Sequence, residues 1–572
     1  MPPHRGINMF GNRRLATLIL STAIVAACGK SAAPANDTPL TFAPADTPYA
    51  YANLEPLPAD VIAAQSKHMH AIWPLLFQQY DTMLAGAPDL GEKPRKVLNA
   101  VLDELRPRDS IEKLREIGFK SDGRVAIYAV GLVPVLRIEL GDPAAFRAMI
   151  GRIEAKSGDK IAVGKLGAQE YWQFGDEHAN VIVALQNTHL VATVWAPSVS
   201  DAVKQTLLGI TKPAKSLADA GTLQAIAKQY GYSPYGEGFF DSVALVQRLS
   251  NAPTGTDLEI AKAMQLPTEG AITDPVCKAE ILSIAQNFPR ILVGAENIAP
   301  NHVSIGAQFE MAPALAQQVT AALAPAPGTG SPAVGLLDFS LALPVLKLKD
   351  FWIKQADTIA ANPYKCAQLV GINESFRSSK AKVDTTIPPP FSDMTGMRTT
   401  ISRFTPGATP TAPPDVAGKF LLGTTNPLAA IGMAQLAVPQ LKDFKITTDG
   451  KPVALPQGLV PSAPPLTLAM SDKAIASAAG KGEEADLGAF LNAAPATTPV
   501  FMRMHFSGAI YGIMARYSDL LKAGMTTGKH PPLDQSKLFA VYEKMLRSAD
   551  ITLEANANGI GLHETVDSNP AD

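Results

Sequence analysis

The side chains of this chain best suited to chemistry are nine histidines, three cysteines and two of the serines that stand three residues before a lysine. His68-Met69-His70 is the only close histidine pair. Residues two apart on a helix do not share a face, so this pair would serve one metal ion only in an extended segment. Solvent-facing helix histidines are the expectation. Ser110-Ile111-Glu112-Lys113 and Ser379-Lys380-Ala381-Lys382 place an amine where it could act as a base for the hydroxyl. Neither serine has the Ser-Asp-Asn and Lys-Thr-Gly partners that such a nucleophile needs, and Ser110 reads as a first-turn residue beside an Asp109 cap. Gly-x-Ser-x-Gly, His-Glu-x-x-His, a phosphate loop and a dinucleotide glycine fingerprint are all missing from the sequence. Aromatic clusters at Tyr49, Tyr51, Trp73, Phe77 and Tyr80 and at Tyr230, Tyr232, Tyr235, Phe239 and Phe240 read as core and turn packing. The sequence therefore nominates no catalytic residue, no metal ligand and no cofactor, and it leaves the ligand-binding residues unknown.

Cys28 carries a different kind of chemistry. Arg13 and Arg14 precede an uncharged run from Leu15 to Val25, which is too short to span a bilayer and has the length of an export signal. The run ends in Val25-Ala26-Ala27-Cys28-Gly29. Small residues before a cysteine resemble the lipobox of bacterial lipoproteins, although Val25 stands where that family usually has Leu. The resemblance implies cleavage before Cys28 and acylation of its thiol, with two or three chains that would anchor the protein stably. It covers the export signal alone, and either Met1 or Met9 could be the start. Gly29, rather than Asp, after the cysteine implies the outer membrane, with the body facing the periplasm. Residues 1–27 read as the signal peptide, and residues 28–45, rich in Ala, Pro, Ser, Asp and Thr, as an acylated flexible tether.

Loss of residues 1–27 takes the formal charge from −2 to about −5. The remaining charges are interspersed, with no basic stripe for phosphates, so nucleic acid is not an expected partner. Cys277 and Cys366 are left, and in an oxidising compartment the expectation is one disulfide. It would close a loop of about 90 residues, worth roughly 4.6 kcal/mol in the simple entropic account.

These features must be positioned by a body with many turns, given 47 prolines and 43 glycines. Helices are expected over Val61 to Leu84 and Val97 to Arg106, with a third opening at Asp109 and using Glu112 as a capping box. Alternation predicts strands over Arg124 to Tyr128, Pro134 to Leu140, His302 to Gln308 and Thr552 to Ala557, and Asn558-Gly559 is a hairpin turn. The fold class expected is α+β, in two related halves, each a mostly antiparallel sheet with short helices.

The relatedness rests on three offsets. Val183 to Ala192 and Leu468 to Ser477 both read as strand, polar turn, strand, and they lie 285 residues apart. Each is followed by a short helix, Ser198 to Leu208 and Glu483 to Leu491. Asp142-Pro143 and Asn426-Pro427 are helix starts 284 apart, and Gly167 and Gly450 are 283 apart. The expected halves are 46–322 and 334–572, joined by a Pro/Gly linker at 323–333. A Cys277–Cys366 bridge would then lock one half to the other.

The chain thus resembles the uncharacterised lipoproteins of Gram-negative envelopes, and reads as a non-enzymatic binding, scaffolding or assembly module. Its partners would be the bilayer through Cys28 and an envelope protein or hydrophobic ligand. The alternative is a periplasmic, hydrolase-like enzyme whose site is not visible as a motif.

Overall fold

A computed structural model describes residues 37–570 apart from 87–90, 176–178, 264, 266–267, 269–271, 410–411, 457–464 and 525–534. The fold is α+β, and its strands pair antiparallel throughout the registers below. The chain forms two compact units. The first holds residues up to Thr273 with Leu292–Asn301, and the second holds Asp274–Ile291 and His302–Asn569.

The strands of the first unit are β1 (Tyr49–Ala52), β2 (Val125–Val130), β3 (Val133–Glu139), β4 (Ala162–Leu166), β5 (Gln169–Gly175), β6 (Asn180–Gln186), β7 (His189–Trp195) and β8 (Glu237–Asp241). They lie side by side in the order β8, β1, β2, β3, β7, β6, β5, β4. Both faces of this sheet are dry. Ala50, Tyr128, Val135, Ile182 and Val191 pack under the short helices Asp201–Leu208 and Thr222–Tyr230. On the opposite face Leu136, Ile138, Trp172 and Leu190 meet Ile62 and Met69 of helix Ala59–Ala85 and Phe146, Met149 and Ile153 of helix Pro143–Ser157.

Strand β9 (Arg290–Ala299) follows helix Pro275–Asn287. The second unit then contributes β10 (His302–Glu310), β11 (Leu337–Ala342), β12 (Met394–Thr405), β13 (Asp415–Thr424), β14 (Val453–Ala454), β15 (Leu466–Met470), β16 (Ala474–Ala479), β17 (Val500–Ser507), β18 (Leu546–Asn556) and β19 (Gly559–Ser568). Their order is β10, β19, β18, β17, β11, β12, β13, β16, β15, β14.

Local signals work where they are strong. Asp142 and Asn426 cap their helices through the side chain, with proline in the first turn. Gly167 and Gly450 both take the left-handed backbone, at φ 62° and 74°. Ser200 caps Asp201–Leu208, which stops at left-handed Gly209.

Four expectations are corrected. The third helix is capped by Ser110, whose hydroxyl accepts from Lys113 N, while Asp109 instead pairs with Lys113 and His70; Glu112 accepts from the Ser66 hydroxyl rather than closing a capping box. The region 28–45 is not tether throughout, because Leu40, Phe42 and Ala43 are buried in the first unit. The stretch 323–333 is no linker. It lies inside the second unit, where Ala326 N bonds Val500 O and the Arg503 guanidinium gathers the Thr329 and Ser331 carbonyls at 3.1 and 2.6 Å. A buried cation needs such acceptors, and they fold the loop down. Finally, the Cys277 and Cys366 sulfurs are 2.17 Å apart, but both cysteines belong to the second unit, so the bridge does not join the two.

Candidate ligand-binding face

In the second unit, strand alternation sorts side chains by chemistry in an unusual sense. Asp338 and Ser340 of β11, Arg398 and Thr400 of β12, and Arg503 of β17 are buried. The residues between them in sequence, Leu337, Phe339, Leu341, Met397, Met502 and Met504, all keep partial exposure. Successive residues of a strand point to opposite faces, so one face is polar and covered while the other is apolar and only half-buried.

The cross-strand register makes each face continuous. On the apolar side Phe339 lies opposite Thr399 and Met504, Leu341 opposite Met397 and Met502, and Met502 opposite Leu553, which in turn faces Leu562. The row ends on Ala307 of β10, between exposed Ile305 and Phe309. Glu564 sits on this face opposite Ile305 and Ile551. Helix Ala509–Gly524 approaches through Tyr511, whose ring lies 6.1 Å from Phe506 and 5.3 Å from Tyr542. Burial, with Tyr542 and Glu564 nearby, raises the Tyr511 pKa, so the phenol stays protonated at neutral pH. An apolar strip with one carboxylate and one phenol beside it is the usual make-up of a site for a mostly hydrophobic ligand. Its four methionines, Met394 among them, suit it to ligands of varied shape.

Most of the polar side is paired within the protein, although Ser340 Oγ and Arg503 Nε have no hydrogen-bond partner. Asp338 takes Arg398 at 2.7 and 3.0 Å and Arg503 at 3.3 Å, and Phe490 lies under the Arg398 guanidinium at 4.8 Å. Two cations share one carboxylate, and the carbonyls of Gly328, Thr329 and Ser331 supply the remaining acceptors. Farther along, His505 Nδ1 meets Asp550 at 3.0 Å and His302 Nδ1 meets Asp567 at 2.9 Å. Such dyads orient an imidazole as a base, yet the hydroxyl at hand, Ser548, donates to Asp567 and not to the ring.

The first unit buries charge more deeply and without access. Arg137 is wholly enclosed, with Nη1 on Gln186 at 2.6 Å, Nη2 on Leu208 O at 2.6 Å and its guanidinium 3.7 Å from the Phe42 ring. Beside it His189 is driven to a pKa of about 4 by burial and by that cation. Glu237 is equally enclosed and neither of its oxygens has a hydrogen-bond partner; burial, helped by Glu55, pushes it up to about 8.

The residues singled out by sequence are scattered. Cys28 lies outside the described residues. His68 and His70 sit on helix Ala59–Ala85, where His70 pairs with Asp109, and no group of three metal-ligating side chains gathers among the described residues. Ser379 lies in helix Val370–Val383, which has no buried residue. The two aromatic groups do meet in part, since Tyr49 stands opposite Phe240 and Tyr51 opposite Gly238 across β1 and β8. Sequence reading missed the apolar face, although Leu337 to Leu341 and Met502 to Phe506 alternate plainly, because alternation does not say which face meets water. No helix among the described residues is long and apolar enough to cross a membrane.

No protein-family model matches the chain, and comparison with curated proteins and with solved structures finds none similar to it.

Proposed function

We propose that this chain is an envelope lipoprotein, anchored at the outer membrane through acyl chains on Cys28, whose second unit binds a hydrophobic ligand on its open sheet face. The observation that carries the ligand reading is the row Phe339, Leu341, Met397, Met502, Met504 and Leu553, large apolar side chains left part-exposed while charges opposite them are buried. Leaving large apolar groups wet forgoes about 1.5–3 kcal/mol apiece, which a ligand with acyl character recovers. The role is binding rather than catalysis, since the buried charges are occupied with one another. The anchoring reading rests on the charged, apolar and small-residue order before Cys28.

The two units are further read as a tandem duplication. In each, an early strand lies between the strand that follows it and one from much later in the chain: β1 between β2 and β8, β11 between β12 and β17. The outward runs β2, β3, β7, β6 and β12, β13, β16, β15 repeat this order. Ligand binding would then be a property of one copy, gained by opening a face that the other keeps packed.

Titration of the mature chain with a dansylated long-chain fatty acid tests the ligand reading. Saturable enhancement of probe fluorescence is expected, with a Met504→Asp variant losing it by about tenfold or more. Equal binding by wild type and variant would place the ligand elsewhere and end this reading.

A further inference from the structure

Helix Pro427–Ala437 of the second unit is apolar nearly all round, yet it buries only Pro427. Leu436 is 83% exposed, Leu428 62% and Met433 47%. Gln435, one residue from Leu436, spends its amide inward on the Phe444 carbonyl at 2.7 Å. At 100° per residue Leu428, Met433 and Leu436 fall within one arc, so the water-facing side of the helix is apolar. No charge occurs from Phe420 to Leu441. Phe391, 60% exposed, adjoins the helix start, because the Thr425 amide donates to the Asp393 carbonyl at 2.9 Å. Helix Pro143–Ser157 in the first unit has the same cap and presents the opposite surface: its Arg147, Arg152 and Lys156 point outward and pair with Glu170, Glu104 and Asp103.

We infer that the patch of Phe391, Leu428, Met433 and Leu436 is a membrane-docking surface that inserts into the headgroup boundary of an anionic lipid bilayer. Its exposed apolar area is on the order of 400–500 Å², which suffices for shallow insertion of one helix face. Charge and tethering argue for lipid: the uncharged run is followed, after the short turn Pro439–Leu441, by exposed Lys442 and Lys445 with Asp443 between them, cations of the kind that anionic headgroups attract. The inference rests on the proposed Cys28 anchor in one respect: acyl chains already hold the protein at a membrane, so a second, weak contact suffices to orient it.

The test uses the mature chain with Cys28→Ser. Because Cys277 and Cys366 are joined, a Leu436→Cys change adds the single free thiol, which takes an environment-sensitive fluorophore. Vesicles of phosphatidylethanolamine and phosphatidylglycerol are expected to shift its emission to the blue and to expose it to quenching by spin-labelled acyl chains. Co-flotation of the chain with the same vesicles should fall at least about tenfold in a Leu428→Ser/Leu436→Ser double variant, both sites being exposed enough for folding to survive. Emission indifferent to vesicles overturns the inference. So does a blue shift that needs no vesicles and grows with protein concentration, because a second copy then covers the patch. Fatty-acid binding by the same chain without the Leu428→Ser/Leu436→Ser changes separates the two claims: if it occurs while vesicles leave the Leu436 probe unmoved, only docking is wrong.

Discussion

The first unit seals both faces of its sheet, and the second leaves the apolar side chains of one face part-exposed. In the first, Ile182, Leu207, Leu208, Leu217 and Leu223 are essentially inaccessible, and helices lock onto both faces. In the second, 13 of the 20 buried apolar residues among those described are alanines, and 15 of the 21 exposed large apolar side chains belong to it. Helix Val345–Ala361 buries only Ala356, and helix Val370–Val383 buries nothing. Similar strand orders thus support two kinds of interior. One is filled by its own side chains. The other combines a smaller, alanine-rich core around Leu421, Leu487, Phe490 and Leu491 with a buried ion cluster, a disulfide and a folded loop, and leaves many large apolar groups part-exposed.

That contrast can be broken most severely at Asp338. An Asp338→Ala change leaves Arg398 and Arg503 buried without their anion and should cost roughly 3–5 kcal/mol, confined to the second unit. Denaturant unfolding followed by hydrogen exchange would show the second unit melting alone; loss of protection in both units alike would mean that they are not separately stabilised.

A pH titration should strike the other unit. Folded Glu237 holds its proton to about 8, against about 4.5 in water, so between those values the folded state binds more protons than the unfolded one. Stability of the first unit therefore falls as pH rises through that window, by an amount bounded near 5 kcal/mol. Glu237→Gln should flatten the curve. His189 acts on the acid side. Its depressed pKa of about 4 makes the unfolded state the better proton binder below about 6.5, so stability also falls as pH drops toward 4. A first unit insensitive to pH in the Glu237 window would contradict the sealed environment assigned to that carboxyl.

Truncation separates the interiors directly. Leu207→Ala in the first unit should cost about 3 kcal/mol, as for a packed leucine, whereas Met504→Ala on the open face should cost less than about 1 kcal/mol. Equal costs would show that the second face is packed after all. Cys277→Ser with Cys366→Ser should cost about 2–3 kcal/mol. The loss should appear in the second unit alone, read as a lower midpoint of that transition.

What was legible in the sequence follows from how local the physics is. Caps at Asp142 and Asn426, left-handed Gly167 and Gly450 and the Cys277–Cys366 pair depend on a few neighbouring atoms or on a lone pair of thiols, and they could be read directly; the C-terminal hairpin was legible too, but its loop is Ala557-Asn558, one residue earlier than Asn558-Gly559, with Gly559 paired to Asn556. The α+β class followed from alternation and turns. Nonlocal burial was not legible. Arg137 sits in Val135-Leu136-Arg137-Ile138 and Glu237 opens Glu237-Gly238-Phe239, and nothing in those runs says that the charge is enclosed. Leu40 and Phe42 looked like part of a tether because only two apolar side chains mark them, yet Arg137 offers Phe42 a cation to stack on. The segment 323–333 looked like a linker for its prolines and glycines, but Arg503, some 170 residues on, needs its carbonyls. The ligand face was hidden for the same reason: its residues alternate like any strand, and only the register reveals that charges took the covered side.

The most direct test of the account follows the methionine methyl groups of the mature chain by nuclear magnetic resonance during titration with a long-chain fatty acid. Met397, Met502 and Met504 on the open face should shift saturably, while Met69 and Met149, packed in the first unit, stay fixed. Shifts confined to the first unit, or no shift at saturating fatty acid, would contradict the claim that the second unit keeps its apolar face open for a ligand.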